Sequence, residues 1–264
     1  RKISKEGVKF QSHIDGSTHI LTPENVVDSQ NIINSNIQMS LDECLYYPAS
    51  FEDSRKSMRL SLNWAERARK RFLDTKKNKS DAQFGIIQGG IFKDLRIESI
   101  KENTDMDFDG YAIGGLAVGE GHEMMKEVVK YTALELPSNK VRYLMGIGKP
   151  KDIIIAVENG IDIFDCVIPT REGRHGNAYT NYGVINLNNS KFNNDLSPID
   201  EKNAYYITKN YSKSYLHHLL KINDPLGGML ISLHNLNYYN ELMNKIRNAI
   251  RDKKFNAFKE NYRF

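Results

Sequence analysis

Asp165 stands at the end of an apolar run and at the head of a basic stretch, in IDIFDCVIPTREGRHG, residues 161–176. A carboxylate held rigidly at a strand end can serve as a nucleophile, and Thr170, Arg171, Arg174 and His175 beyond it can reach a polyanion. Ile161, Ile163 and Phe164 read as the short buried strand that holds it, and the residues after it as a basic, glycine-containing loop. The combination points to an enzyme acting on nucleic acid. The bland alternative is a carboxylate that ends a strand, followed by a solvated loop.

Four further apolar runs end in the same way: IQMSL before Asp42, FGII before Gln88, YAI before Gly114 and Gly115, and RYLM, whose Met145 precedes Gly146. Each is followed by a loop and a helical pattern. Met58, Leu62, Ala65 and Phe72 share one face after Asp42, and Met125, Val128, Val129, Thr132 and Leu136 share one after Gly115. Strand then helix, repeated, predicts an α/β fold with a parallel sheet. A (β/α) barrel builds its active site from the C-terminal ends of its strands, so Asp42, Gln88, Gly115, Met145 and Asp165 should converge on one pocket. Near the start, GVKFQSHIDGSTHILTP alternates about Asp15-Gly16 and predicts a hairpin, residues 74–82 read as a loop tip, and Tyr239, Leu242, Met243, Ile246 and Ile250 predict an amphipathic C-terminal helix.

With 264 residues, 40% hydrophobic and 27% charged, the chain can bury a sizeable core, and it has no apolar run long enough to span a bilayer. A net charge of +4 permits RNA binding without demanding it. Most of the basic residues, as in SRKSMRLSLNWAERARKRF, read as a solvated helix face, with KVRY and REGRHG the better candidates for phosphate contact.

The segments SLDEC (40–44), FGIIQGG (84–90), GYAIGGLAVGE (110–120), RYLMGIGKP (142–150) and IFDCVIPTREGRHG (163–176) resemble, in order, the bacterial tRNA-guanine transglycosylase family over nearly the whole chain. The resemblance implies a cytoplasmic enzyme with a (β/α)8 TIM barrel bearing an inserted hairpin and a zinc-binding subdomain. It implies exchange of the wobble guanine, position 34, of tRNA for a 7-deazaguanine such as preQ1, through a covalent Asp–ribose intermediate, in queuosine biosynthesis. Asp165 matches the nucleophile. A guanine-like base offers N–H donors and a carbonyl, so its site needs a carboxylate, an amide and backbone N–H groups; Asp42, Gln88 and Gly115 match the base-binding positions and have those chemistries. Leu116 and Cys44 belong to the same matched segments. Tyr143 and Met145 match positions that sandwich the base, with plain core packing an equal alternative. Gly146, Ile147, Gly148, Lys149, Pro150, Lys151 and Asp152, with Thr170, Arg171, Glu172, Gly173 and Arg174, match RNA-contacting segments. The implied partners are a tRNA with a wobble guanine, the 7-deazaguanine and a second copy in a homodimer.

Cys44 and Cys166 are the only cysteines, with no disulfide expected and Cys166 read as a small buried residue behind the nucleophile. Gly89 with Gly90 and Gly114 with Gly115 either let backbone approach a ligand or make tight turns. The family's zinc ligands, three cysteines and a histidine, fall on Asn203, Tyr205, Thr208 and His234. That set cannot close a zinc tetrahedron, and the adjacent His217 and His218 point in different directions, so the former zinc subdomain, residues 181–234, is expected to be metal-free. Tyr205, Tyr206, Ile207, Tyr211, Tyr215 and Leu219 are its expected core.

Residue 1 is Arg, and five strand–helix units are counted where a closed barrel has eight. The whole chain reads as one catalytic domain, N-terminally incomplete, either part of a longer protein or a short chain. The resemblance puts the family's earlier catalytic aspartate in the missing part, so activity of this chain alone is open. The expectation is an aggregation-prone or pairing chain, with a non-catalytic tRNA-binding or partner subunit, or an inactive fragment, as the alternative function.

Overall fold

The five apolar runs pair side by side in the order in which the chain makes them. A computed structural model describes residues 1–262, and these fall into two units, residues 1–147 with 155–165, and residues 148–154 with the chain from Cys166 onward. The first unit opens with a small antiparallel sheet, β1 (Lys2–Ile3), β2 (Val8–Gln11) and β3 (Thr18–Leu21), and α1 (Pro23–Ile33). There follow β4 (Ile37–Met39), α2 (Phe51–Thr75), β5 (Ala82–Ile87), α3 (Lys93–Asp105), β6 (Gly110–Ile113), α4 (His122–Glu135), β7 (Val141–Leu144), α5 (Pro150–Glu158), whose first five residues are assigned to the second unit, and β8 (Ile163–Phe164). Strands β4 to β8 form one parallel sheet in sequential order, curled as part of a (β/α) barrel.

Parallel neighbours need long crossovers, and the amphipathic helices supply them. The Ser50 hydroxyl accepts the Asp53 N–H to start α2, which buries Met58, Leu62, Ala65 and Phe72. Arg69 on the same face bonds Asp109 at 2.9 Å and lies over the Phe72 and Phe108 rings, fixing α2 against the start of β6. Helix α4 buries Met125, Val128, Val129 and Thr132, with Leu136 buried just beyond its end. The hairpin is present as β2 and β3. The two-residue β1 beside them is too short to leave a periodic signal.

Register decides which residues meet. Ile87, Ile113, Leu144 and Phe164 form one cross-sheet row, so Gln88, Gly114, Met145 and Asp165 stand in the next row, at the C-terminal edge. Strand alternation places these four on one face.

Two expectations about this unit are corrected. Strand β8 is not a buried strand: it has two residues, Ile163 is 37% exposed, and the buried Ile161 precedes it. Its only partner among the described residues is β7, so one flank lacks cover. Lys140 and Arg142 lie at the opposite, N-terminal end of β7. Lys140 bonds Asp107 and the Phe108 carbonyl, and Arg142 the Leu136 and Pro137 carbonyls, so both brace the sheet.

The second unit contains α6 (Ile168–Arg174), the hairpin β9 (Asn177–Thr180) and β10 (Gly183–Asn186), then α7 (Tyr206–Asn210), α8 (Lys213–Lys221), α9 (Pro225–Arg251) and α10 (Phe255–Asn261). The stretch expected as a basic loop is therefore helix α6. Pro169 fits its first turn, and Gly173 lets it press on α9, where an added Cβ would fall 2.5 Å from the Ser232 hydroxyl. Ala178, Leu187, Phe192, Ile199, Ile207, Leu216, Leu219, Leu230 and Ile231 make the core. Of the expected aromatic core only Ile207 and Leu219 are buried; Tyr205 and Tyr211 pack at its edge, and Tyr206 and Tyr215 are exposed. The helix breaks at Tyr211, so Tyr211 does not share one continuous helix face with Tyr215 and Leu219 at their four-residue spacing. In α9, Tyr239, Leu242 and Ile246 are buried, whereas Ile250 in the last turn is exposed.

Candidate active site

Asp42, just beyond β4, accepts a 2.6 Å hydrogen bond from the Gln88 amide at the end of β5. The Ser99 hydroxyl of α3 accepts the Gln88 N–H, and Gly115 crowds the amide so closely that a Cβ would fall 2.5 Å from Gln88 Oε1. Gly115 also has φ +67°, so this position requires glycine on two counts. The three residues thus bring a carboxylate, an amide and a glycine main chain together. Burial, only partly opposed by the Gln88 bond, raises the Asp42 carboxyl above the usual carboxylate range, and burial and the Asp42 charge push the Cys44 thiol up, leaving it a thiol at neutral pH.

The raised Asp42 implies a stability cost. A carboxyl whose folded pKa exceeds its unfolded one contributes stability below the unfolded pKa, and loses it as pH rises through the folded one. Once ionised, Asp42 is therefore a desolvated charge in the folded protein. Asp42→Asn, which keeps an oxygen for Gln88, should raise the melting temperature at pH 7 by about 2–4 °C, with the gain shrinking as pH falls toward 4. Thermal melts at both pH values check this, and an Asn variant that melts lower at pH 7 contradicts it.

Asp165 is held differently. Its Oδ1 accepts both the Tyr143 phenol at 2.6 Å and the Gly146 N–H at 2.8 Å. Two donors on one oxygen fix the carboxylate, and Oδ2 has no hydrogen-bond donor among the described residues. Burial, and the Asp165 charge to which it donates, push the Tyr143 phenol well above its ordinary pKa, so it stays a donor. Tyr143 and Met145 are half-buried, and the Met145 N–H donates to the Ile113 carbonyl, tying the ends of β6 and β7.

Leu116 and Ile147 are core residues, which leaves only their main chains for a ligand. In the second unit Gly148, Pro150, Asp152 and Gly173 are buried, whereas Lys149, Lys151, Arg171 and Arg174 are exposed and Thr170 and Glu172 half-exposed. The His175 ring caps α6 through the Arg171 carbonyl at 2.7 Å. Neither cysteine is in a disulfide; Cys166 is half-buried, its sulfur filling the space where Gly148 lacks a Cβ. The sequence reading missed Arg96, which is fully buried between the ends of β5 and β6. Its place on the inward face of α3, with Ser99 and Asn103, is the helical spacing that could have exposed it.

A family model described as queuine tRNA-ribosyltransferase matches residues 1–263. The chain belongs to the queuine tRNA-ribosyltransferase family. The queuine tRNA-ribosyltransferase of Rickettsia massiliae (strain Mtu5) is 52% identical over 251 residues, 95% of this chain and 69% of the relative. Those of Rickettsia typhi (strain ATCC VR-144 / Wilmington) and Rickettsia bellii (strain OSU 85-389) are also 52% identical, over 95% of this chain and 69% and 68% of their own lengths. This is a family of tRNA pentosyltransferases, and no described helix is long and apolar enough to cross a membrane.

The resemblance also brought a zinc ion, and the queuine tRNA-ribosyltransferase positions here do not fit it. His234, fully buried, has both ring nitrogens engaged: Nε2 donates to the Tyr179 carbonyl and Nδ1 accepts from the Thr208 hydroxyl, each at 2.7 Å. The carbonyl can only accept, so the tautomer follows. Burial lowers the His234 pKa and keeps the ring neutral. Asn203 Oδ1 accepts the Tyr205 N–H. At these four positions there is no thiolate, and the one imidazole lone pair, on His234 Nδ1, is already taken by Thr208.

Proposed function

We propose that this chain exchanges the wobble guanine of tRNA for a 7-deazaguanine such as preQ1, with Asp165 as nucleophile. The observation that carries the reading is the Asp165 carboxylate, oriented through one oxygen and open at the other. Asp165 Oδ2 attacks the ribose anomeric carbon; the C–O bond forms as the bond to guanine breaks, and the electron pair leaves with the base, which takes up a proton. The incoming base then attacks the same carbon, loses its proton and releases Asp165, so configuration is retained. Asp42 and Gln88, once parted by a ligand, offer an acceptor and an amide to the Watson–Crick edge, and the Gly115 N–H meets the base carbonyl. Met145 and Tyr143 flank the ring, and a second copy of the chain completes a dimer.

Incubating the protein with a tRNA bearing a wobble guanine and labelled guanine tests this: label should enter the tRNA at that position. Tight tRNA binding without incorporation, in a folded protein, would instead support a binding-only subunit. For the backbone, Lys149, Lys151, Arg171 and Arg174 are the proposed phosphate contacts. Replacing Arg171 and Arg174 with Ala should weaken tRNA binding and reduce the log–log salt slope by about one to two units. An unchanged slope, read by filter binding across a salt series, returns both arginines to solvent.

A further inference from the structure

Arg96 is a buried cation that makes no salt bridge among the described residues. It is fully buried on α3, and its guanidinium donates to three main-chain carbonyls: Nε to Gly90 at 2.7 Å, Nη1 to Ile87 at 3.4 Å and Nη2 to Gly114 at 3.0 Å. Burial lowers its pKa to about 10, which leaves it charged at neutral pH. A guanidinium stripped of water is expensive when the Glu120 carboxylate acts on it only from beyond salt-bridge distance and Tyr131 is its side-chain hydrogen-bond partner, and packing alone would be served as well by an apolar side chain. The three carbonyls are not scattered. Ile87 and Gly90 flank Gln88, and the Gly114 carbonyl belongs to the same peptide unit as the Gly115 N–H.

That shared peptide unit is the physical link. Donation to an amide oxygen increases the double-bond character of its C–N bond and the positive charge on its N–H, so the N–H becomes a stronger donor. The Gly115 N–H is directed at the Cys44 sulfur, a weak acceptor that a base carbonyl can displace, and the Arg96 charge is itself felt at that sulfur.

We propose that Arg96 is a positioning residue that locks the two turns holding Gln88 and Gly115, and polarises the Gly114–Gly115 peptide so that its N–H binds the base carbonyl more strongly. This rests on the reading that the Gly115 N–H meets that carbonyl. As the departing base takes the electron pair of the broken glycosidic bond, part of the charge reaches this oxygen, where the polarised N–H stabilises it.

The test compares affinities of the protein for free guanine and free 6-thioguanine, which differ at that one acceptor, in wild type and in Arg96→Gln and Arg96→Lys. Wild type should prefer guanine. Arg96→Gln should lose about tenfold of that preference, as expected for one weakened hydrogen bond in a desolvated site, and Arg96→Lys, which keeps the charge, should lose less. A purely structural role would weaken both ligands alike and leave the ratio unchanged, and that result overturns the proposal. Variants that both fail to fold, judged by near-ultraviolet circular dichroism, overturn it as well. A wild type that does not discriminate the two bases refutes the underlying Gly115 reading instead.

Discussion

Asp165→Asn should abolish the covalent protein–tRNA adduct and lower guanine exchange by at least about 10⁴-fold, the scale on which removal of a nucleophile is felt. Asparagine is nearly isosteric. Its Oδ1 can still accept from Tyr143 and the Gly146 N–H, so the side chain keeps its place while an amide nitrogen stands where Oδ2 stood. An amide cannot attack the anomeric carbon. Binding of tRNA, which draws on phosphate contacts spread over other residues, should remain within about threefold, because a single neutral substitution removes none of those contacts. Labelled tRNA retained by the protein on a denaturing gel reports the adduct, and filter binding reports affinity. A variant that still exchanges guanine at the wild-type rate removes Asp165 from the chemistry and, with it, the proposed mechanism.

The second large effect concerns stability. Where the resemblance implies zinc ligands, the second unit has the chain Thr208–His234–Tyr179, two short hydrogen bonds through one buried imidazole. His234→Ala should cost about 3–4 kcal/mol: a cavity opens, and the Thr208 hydroxyl and Tyr179 carbonyl are left without a partner in a dry interior. The wild-type protein should carry no stoichiometric zinc by elemental analysis, and a chelator should leave its melting temperature unchanged, whereas a protein folded around a metal loses stability with it. Because burial lowers the His234 pKa, the neutral ring contributes stability above its unfolded pKa, and that contribution falls as pH drops below it. One tightly held zinc per chain, or a chelator-dependent melt, would show that the hydrogen-bonded chain is not what closes this unit.

Much of the candidate site is legible in the sequence alone. Asp42, Gln88, Gly115 and Asp165 were all marked by one local signal, an apolar run ending abruptly in a polar or glycine residue, and a parallel sheet turns that signal into proximity by aligning its C-terminal ends. The five runs appear as β4 to β8 in chain order for the same reason: strand patterning is carried by neighbouring residues. The zinc departure was equally local, being a matter of residue type at four positions.

Other features were settled only by packing. Whether Ile163 is covered depends on a partner for β8 that no pattern within β8 encodes. The stretch after Asp165 became a helix because Gly173 seats it on α9. Lys140 and Arg142 are basic residues next to a site strand, yet register puts them at its far end. Arg96 is the clearest case. Its sequence neighbours make it one charge among many on a helix whose buried face mixes Leu95 and Ile100 with Ser99 and Asn103, and only the turns of α3 against β5 and β6 bring three carbonyls to its guanidinium. The sequence by itself determined the order of the strands and the residues at their ends, because those follow from alternation along the chain. Tertiary structure alone decided which of these residues are paired, buried or left open, because each such outcome depends on groups brought together from distant parts of the chain.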